Sequence, residues 1–307
     1  MEAITLKQLE IFVSVAERNS FSGAAEALYL TQSTVSAHIR TLETLLGVRL
    51  FLREERRNVR LSPEGQALYP RAKRLLSESR AVQAMFRATA EPECLQLGAS
   101  TVPAQYLLPD LLAGFLRRCP GGRYVLKKGD SASVHAQLRA GEIRIGFAGT
   151  ALDRSEFQYT PIAHDRLVLA APNTPRYQAL LREGRCGREL LHEPTIAREE
   201  GSGTDRSVQR YMQRIGFDQS QLHILARIDD PETIKHMVMQ GSGVSVLSAL
   251  AIEQEVAARR LLQFEMDREG LQRDIFLVLR RDFHPTALEE QFLSFVKKQL
   301  AAGMLSK

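Results

Sequence analysis

FSGAAEALYLTQSTVSAHIRTLETLLGVRLF, residues 21–51, reads as two short helices joined by a tight turn. The second helix opens at Thr31, whose side chain can accept a hydrogen bond from an otherwise unpaired backbone N–H, and closes at Gly47. Val35, Ile39, Leu42 and Leu46 recur at helical spacing as a buried stripe, which turns Gln32, Ser33, Ser36, Ala37 and Arg40 outward. That small polar face suits the DNA major groove, since Gln can pair two-pronged with adenine, Ser donates or accepts, and Ala meets a thymine methyl. A helical hairpin with a merely solvated outer face has the same pattern, so the neighbouring residues have to decide.

Downstream, RLFLREERRNVR from Arg49 to Arg60 places short apolar pairs around a charged tip of Glu54, Glu55, Arg56, Arg57 and Asn58, the pattern of a hairpin wing. Residues 49–60 hold five Arg against two Glu, whereas residues 1–48 hold three Lys or Arg against five acids. The positive charge therefore sits where phosphates would lie. Arginines at a wing tip track the backbone, fix register without reading sequence, and make binding salt-dependent.

Residues 1–62 closely resemble the winged helix-turn-helix of LysR-type transcriptional regulators. LKQLEIFVSVAERNSFSGAAEALYLTQSTVSAHIRTLETLLGVRLF carries that family's Phe21 and Ser22 before the paired alanines, its Thr-Gln opening of the reading helix, and its Leu-Glu pair at Leu42 and Glu43. Ser33 stands where many members have proline, and Glu54 and Glu55 make the wing more acidic than usual. The resemblance implies double-stranded DNA with an interrupted palindromic site as a partner. It implies base reading by Gln32, Ser33, Ser36 and Ala37, and phosphate contacts from Ser22, Arg40, Arg53, Arg56 and Arg57.

Composition agrees with a regulator of two or three domains. The 307 residues are 44% hydrophobic and 25% charged, an ordinary globular balance. Of the net charge of +5, residues 1–90 carry 13 basic and 9 acidic residues, or +4, so only the front end calls for a polyanion. Glu2, Lys7 and Glu10 interrupt any signal-peptide run, and no apolar stretch of about 18 residues could span a bilayer. The expected location is the bacterial cytoplasm, on the nucleoid when DNA is bound, with no membrane partner. Cys94, Cys119 and Cys186 are odd in number and widely spaced, which argues against a disulfide framework and a zinc site and leaves structural thiols as the default over a redox switch. Neither a metal nor a cofactor is expected.

Ser62 and Pro63 are a favourable cap and first turn for a further helix, expected to run to about Ala90. Leu68, Ala72, Leu75, Ser79, Val82 and Phe86 form a narrow stripe on it, with Arg71, Lys73, Arg74, Arg80 and Arg87 on the other faces. The stripe could pack on its own chain. The resemblance instead implies a linker helix, residues 63–90, that pairs with a second subunit, with a tetramer as the full assembly. A two-fold dimer would set two reading helices on successive major-groove faces.

From Cys94 onward, β-rich runs alternate with helical patterns: Cys94–Ala99, Arg123–Lys127, Ile143–Phe147, Leu167–Ala171, Thr195–Ala197, Leu222–Ile228, Val244–Leu247 and Ile275–Leu279. That alternation predicts parallel sheets with helices on both faces. The family resemblance implies an α/β, two-lobed, periplasmic-binding-protein-like effector domain over residues 91–307. One lobe would take about 92–163 and 268–303, and the other 164–267, the chain crossing twice between them. A ligand would bind in the cleft at strand ends. Ser100, Thr101 and Val102, then Gly149 and Thr150, then Gly201, Ser202, Gly203 and Thr204 are the candidate effector turns, because hydroxyls beside helix N-termini favour anions. Each turn could equally be an ordinary cap or bend.

STVPAQYLLP from Ser100 to Pro109 and AREEGSGT from Ala197 to Thr204 resemble LysR-type regulators associated with sulfur and selenium metabolism, which implies a small oxyanion or small acid as effector. Val102 and Pro103 depart from the more polar pattern of that branch. An enzyme is disfavoured: the chain has no strand-linked Gly-x-Ser-x-Gly, no phosphate loop ending in Gly-Lys-Ser/Thr and no His-Glu-x-x-His, and its seven histidines are scattered. GSGVSV, Gly241 to Val246, has valine where a dinucleotide loop needs its third glycine, and is expected only to bend the chain. The alternative is a small-molecule binding protein with no DNA role. The expected mechanism is that an effector closing the lobes changes the angle between paired DNA-binding units, and with it DNA bending and recruitment of RNA polymerase.

Overall fold

The computed structural model describes residues 3–53, 59–86 and 94–302. Its N-terminal unit begins with helix α1 (Leu6–Arg18), where Thr5 and Gln8 cap one another's backbone and Asn19 ends the helix in the left-handed region. Helix α2 (Phe21–Ala27) is capped by Ser20, and helix α3 (Gln32–Leu46) by Thr31, whose hydroxyl accepts from Thr34 N at 3.2 Å. Gly47 terminates α3 at φ +68°, as expected from the sequence. Val35, Ile39 and Leu42 are buried with Leu9, Phe12 and Phe51 in one core, and Leu46 packs half-buried against it.

The wing is an antiparallel pair, β1 (Phe51–Arg53) and β2 (Val59–Leu61), in the register Phe51 to Leu61. Its tip, with Arg56 and Arg57, and the side chain of Arg53 lie outside the described residues. Helix α4 (Pro63–Phe86) starts against the wing: the Ser62 hydroxyl donates to Arg49 O at 2.6 Å and accepts from Gly65 N at 2.9 Å. A Cβ on Gly65 would lie 2.2 Å from Leu50 O, so this close approach admits only glycine. The stripe expected along α4 divides in two. Leu68 and Ala72 pack on the helix-turn-helix core, whereas Leu75 and Val82 remain exposed. Phe86 and Arg80 side chains, and residues 87–93, lie outside the described residues.

The C-terminal unit is α/β, but its main sheet is mixed rather than parallel. Strands β3 (Cys94–Ser100), β4 (Arg123–Gly129) and β5 (Ile145–Ala148) are parallel, with β3 between the others. Strand β6 (Phe157–Pro172) and strand β11 (Leu271–Arg280) run antiparallel along one another's length, with a register shift at Ile275/Phe276. These two long strands are the crossings between lobes, and pairing the outgoing with the returning chain forces the antiparallel arrangement. Strands β9 (Ser245–Ser248) and β10 (Leu261–Glu265) add to β6 in the second lobe, antiparallel as well. Apolar patterning marks only Leu167–Ala171 of β6 and gives no sign of β10.

A separate parallel pair, β7 (Thr195–Arg198) and β8 (Ile224–Ile228), completes the second lobe. Around these strands lie α5 (Leu108–Arg118), α6 (Ser131–Ala140), α7 (Pro175–Arg182), α8 (Gly203–Ile215), α9 (Pro231–Met239), α10 (Ala249–Ala257) and α11 (Ala287–Ala301). The C-terminal α11 returns to the first lobe, where Phe292 and Phe295 meet Phe115 of α5 at 5.1 and 5.8 Å between ring centroids. Between α9 and β9, Gly241 takes φ +81°, and Gly243 takes φ +151° with Pro194 O pressed against it. The GSGVSV segment is therefore a bend. Among the described residues no helix is long and apolar enough to cross a membrane.

Candidate DNA-reading face and effector cleft

On α3, Gln32, Ser33, Ala37 and Arg40 are exposed or half-exposed and Ser36 is half-buried. Ser22, from α2, donates its hydroxyl to Gln32 Oε1 at 3.2 Å, which leaves the Gln32 amide nitrogen as the outward donor. Ser33 is tied back to the Thr31 cap, its Oγ 2.8 Å from Thr31 Oγ1. Beside the helix a concave surface is lined by Ser36, Arg40, Thr44, Arg49 and Leu52. Glu43 is not part of the polar face in function: its Oε1 accepts from Leu50 N at 2.7 Å, bracing the entry to the wing while Leu42 fills the core. The Leu-Glu pair of the sequence is thus a structural joint.

In the C-terminal unit the effector turns converge. Ser100, Thr101, Val102, Gly149, Ser202, Gly203 and Thr204 line one cleft between the lobes. Thr150 lines the adjoining opening, beside Arg154 and Arg210, and Gly201 stays outside the lining at φ +78°, its N–H bound to Asp205. Ser100 ends β3 and receives Gly149 N on its hydroxyl at 3.3 Å. Thr101 opens a helical stretch that makes a π-helical turn over Pro103–Leu107 before α5. Single π turns inside helices recur at functional sites. Ser202 caps α8, accepting from Asp205 N at 3.1 Å.

The structure adds Asp130, Ser131, Arg198, Glu199 and Arg273 to this lining. Asp130–Ser131 follows β4 just as Ser100–Thr101 follows β3, a signal the sequence did offer. Ser131 is 2% exposed and its hydroxyl has no hydrogen-bond partner among the described residues. Arg273 is held by Asp165 through Nε and Nη2, both at 2.8 Å, and Ser248 donates to the other oxygen of Asp165. Its Nη1 instead faces the glycines: a Cβ on Gly203 would lie 2.9 Å from it, and one on Gly149 3.4 Å. Arg198 is committed to Glu199 by two hydrogen bonds of 2.8 and 2.9 Å. Burial works against the charge on Asp130, yet hydrogen bonds from the Ser133 hydroxyl and N–H, with the field of Arg206, hold its carboxyl below the usual range.

The lobes meet at this cleft, leaving a cavity of about 20 Å³, room for about one water molecule. Cys94, Cys119 and Cys186 are free thiols, and no group of three or more potential metal ligands occurs among the described residues.

Residues 6–66 match the family model described as the bacterial regulatory helix-turn-helix protein, lysR family, and residues 91–301 match the LysR substrate binding domain. The HTH-type transcriptional regulator YeiE of Escherichia coli (strain K12) is 32% identical over 293 residues, covering 95% of this chain and 97% of its own. Two solved structures share the fold. A full-length OxyR variant from Pseudomonas aeruginosa superposes with a TM-score of 0.73 at 21% identity, covering 98% of this chain and 95% of its own. Full-length CbnR complexed with its target DNA gives 0.65 at 22%, covering 96% and 99%. The chain belongs to the LysR family: it is a DNA-binding transcriptional regulator with an effector-binding C-terminal domain, and not an enzyme.

Proposed function

We propose that the chain acts in the cytoplasm as a dimeric, and in full assembly tetrameric, regulator that reads an interrupted palindrome and changes its grip on the operator when a small acid or oxyanion binds between its lobes. Base reading falls to Gln32, Ser33, Ser36 and Ala37, and phosphate contact to Ser22, Arg40 and the wing arginines Arg53, Arg56 and Arg57. The observation that carries the DNA assignment is the exposed N-terminal face of α3, with Gln32 oriented by Ser22, because helix-turn-helix proteins present that end of the second helix to base edges. Exposed Leu75 and Val82 on α4 support pairing through that helix, and exposed Tyr124 and Val125 on edge strand β4 offer a second self-contact.

The effector assignment rests on unspent hydrogen-bonding capacity: the orphaned Ser131 hydroxyl, Arg273 Nη1, and the helix start at Ser202–Thr204. Ser100, Thr101, Val102, Gly149, Thr150 and Gly201 complete the surroundings. An ionised Asp130 at the rim favours an acid that carries its own donor, such as an amine or hydroxyl, over a bare oxyanion, and the sulfur-linked effectors implied by the motifs include both kinds. Because the cavity has room for about one water, a small acid exceeds it and selects a more open set of the lobes, and this population shift is what reaches the paired DNA-binding units and RNA polymerase.

Footprinting on the promoter upstream of the chain's own gene and on genomic fragments it selects tests the reading. Wild-type protein should protect two half-sites about one helical turn apart. Ser36→Asp, which places a carboxylate against the groove, should abolish that protection with the circular-dichroism spectrum unchanged. Retained protection in the variant would remove Ser36 from the reading face, and no protection by wild type at low salt would leave the protein a ligand-binding module.

A further inference from the structure

A cavity of about 110 Å³ lies inside the second lobe, apart from the cleft, beneath α8. Its position follows from the strands below. Strand β7 meets the residue before β9 at an isolated bridge, Thr195 to Val244, and belongs to a different sheet from β9. In β8 the register shifts by one residue, Thr195 facing Ile224 and Ile196 facing Ala226. Leu225 is therefore a bulge, 49% exposed, and the extra residue turns Ile224 and Arg227 to the same side, toward α8. The other walls are Leu169, Leu222, Val246, Val208 and Met212. A dry apolar cavity of about 150 Å³ takes benzene in another protein, and a methionine wall adapts its shape easily.

One side of this cavity is polar. Arg227 donates from Nη1 to Arg198 O at 3.1 Å and to Asp205 at 3.3 Å, while its Nε pairs with the exposed Glu200 at 3.4 Å. Its Nη2 makes no hydrogen bond among the described residues. Asp205 is compensated by Gly201 N, Gln209 and Arg227, so it needs no further partner. The mouth thus has Arg227 Nη2 open to an anion above an apolar chamber, with the exposed Glu200 beside it on Nε.

We propose that this chamber is a second ligand site, specific for a small monocarboxylic acid with an aromatic or branched hydrocarbon body, the body among Val208, Met212 and Ile224 and the carboxylate on Arg227. Thr204 and Arg198 line both this chamber and the cleft, so α8 is a wall common to the two sites. The inference does not depend on what binds in the cleft.

The test is a titration of the full-length chain, labelled with 13C at the methionine methyls, with benzoate, and with toluene as its neutral counterpart. Benzoate should shift the Met212 methyl resonance, assigned through Met212→Leu, saturably. Val208→Phe, which fills the chamber from α8, should abolish the shift, and Ile224→Phe does the same from the opposite wall should the first variant fold poorly. Arg227→Gln should weaken benzoate about tenfold or more, the loss of a charge-assisted hydrogen bond, and leave toluene unchanged. Absence of a Met212 shift at about 10 mM benzoate, enough to fill even a site with a Kd of about 1 mM, overturns the site, as does a shift that survives in a folded filling variant. Equal benzoate affinity in Arg227→Gln overturns the carboxylate assignment.

Discussion

Arg273 shows what one side chain does at the junction of the lobes. Asp165, fully buried, has two oxygens, one satisfied by Ser248 and the other by the Arg273 fork. Removing one member of such a pair strands the other charge away from water, and that penalty exceeds what the pair itself contributes. Arg273→Leu should therefore destabilise the effector domain by about 3–5 kcal/mol in urea unfolding, and adding Asp165→Asn should restore much of it. A loss below about 1 kcal/mol would mean that water reaches Asp165. Arg273 could not be found from the sequence, because LQRD at residues 271–274 alternates polar and apolar residues too weakly to mark a strand. The hydroxyl turns were legible for the opposite reason: Ser100, Thr101, Ser202 and Thr204 sit at strand-to-helix junctions whose capping chemistry is local.

Among elements, the π turn after β3 stands against α9 of the other lobe. Tyr106 donates to Glu232 at 2.6 Å, Lys235 pairs with Glu232 at 2.9 Å and with Glu255 at 3.2 Å, and the Lys235 ammonium lies 5.7 Å from the Tyr106 ring. Burial pushes the Tyr106 hydroxyl up, with Glu232 reinforcing the effect. Burial alone would raise Glu232 as well, but the hydrogen bonds from Tyr106 and Lys235 hold its carboxyl below the ordinary value of 4.5. A lowered carboxylate contributes stability that is complete above its unfolded value and is lost as pH falls through the folded one. Tyr106→Phe should consequently lower the melting temperature at pH 7 and have a progressively smaller effect as acidification below pH 4.5 protonates Glu232. A difference that stays constant throughout the acid titration would exclude the carboxylate as the partner. Within β6 the strand was legible only where it is buried on both faces. Leu167–Ala171 reads as a continuous apolar run, whereas residues 157–166 of the same strand, FQYTPIAHDR, carry polar and proline positions that conceal a pairing made with distant β11.

For the whole molecule, the question is why so weakly basic a front end should bind a polyanion selectively. A net charge of +4 over residues 1–90 is modest, and a lone winged helix-turn-helix would neutralise few phosphates. In the dimer proposed above two copies double that number, and the exposed face of α4 is the surface proposed to join them. Leu75 and Val82 are 52% and 55% exposed and seven residues apart, hence on one face two turns along, while Leu68 and Ala72 nearer the wing are already spent on the unit's own core. The sequence could not show that division, since all of these residues share one spacing and only the position of α1 decides which half is covered. Leu75→Glu with Val82→Glu should therefore sediment as a monomer with the helix-turn-helix still folded. The slope of log affinity against log salt should fall to about half of the wild-type slope, because each phosphate neutralised contributes about 0.9 to it. A variant that stays dimeric would move the interface off this face of α4, and a monomer with an undiminished slope would show that one copy makes all the phosphate contacts.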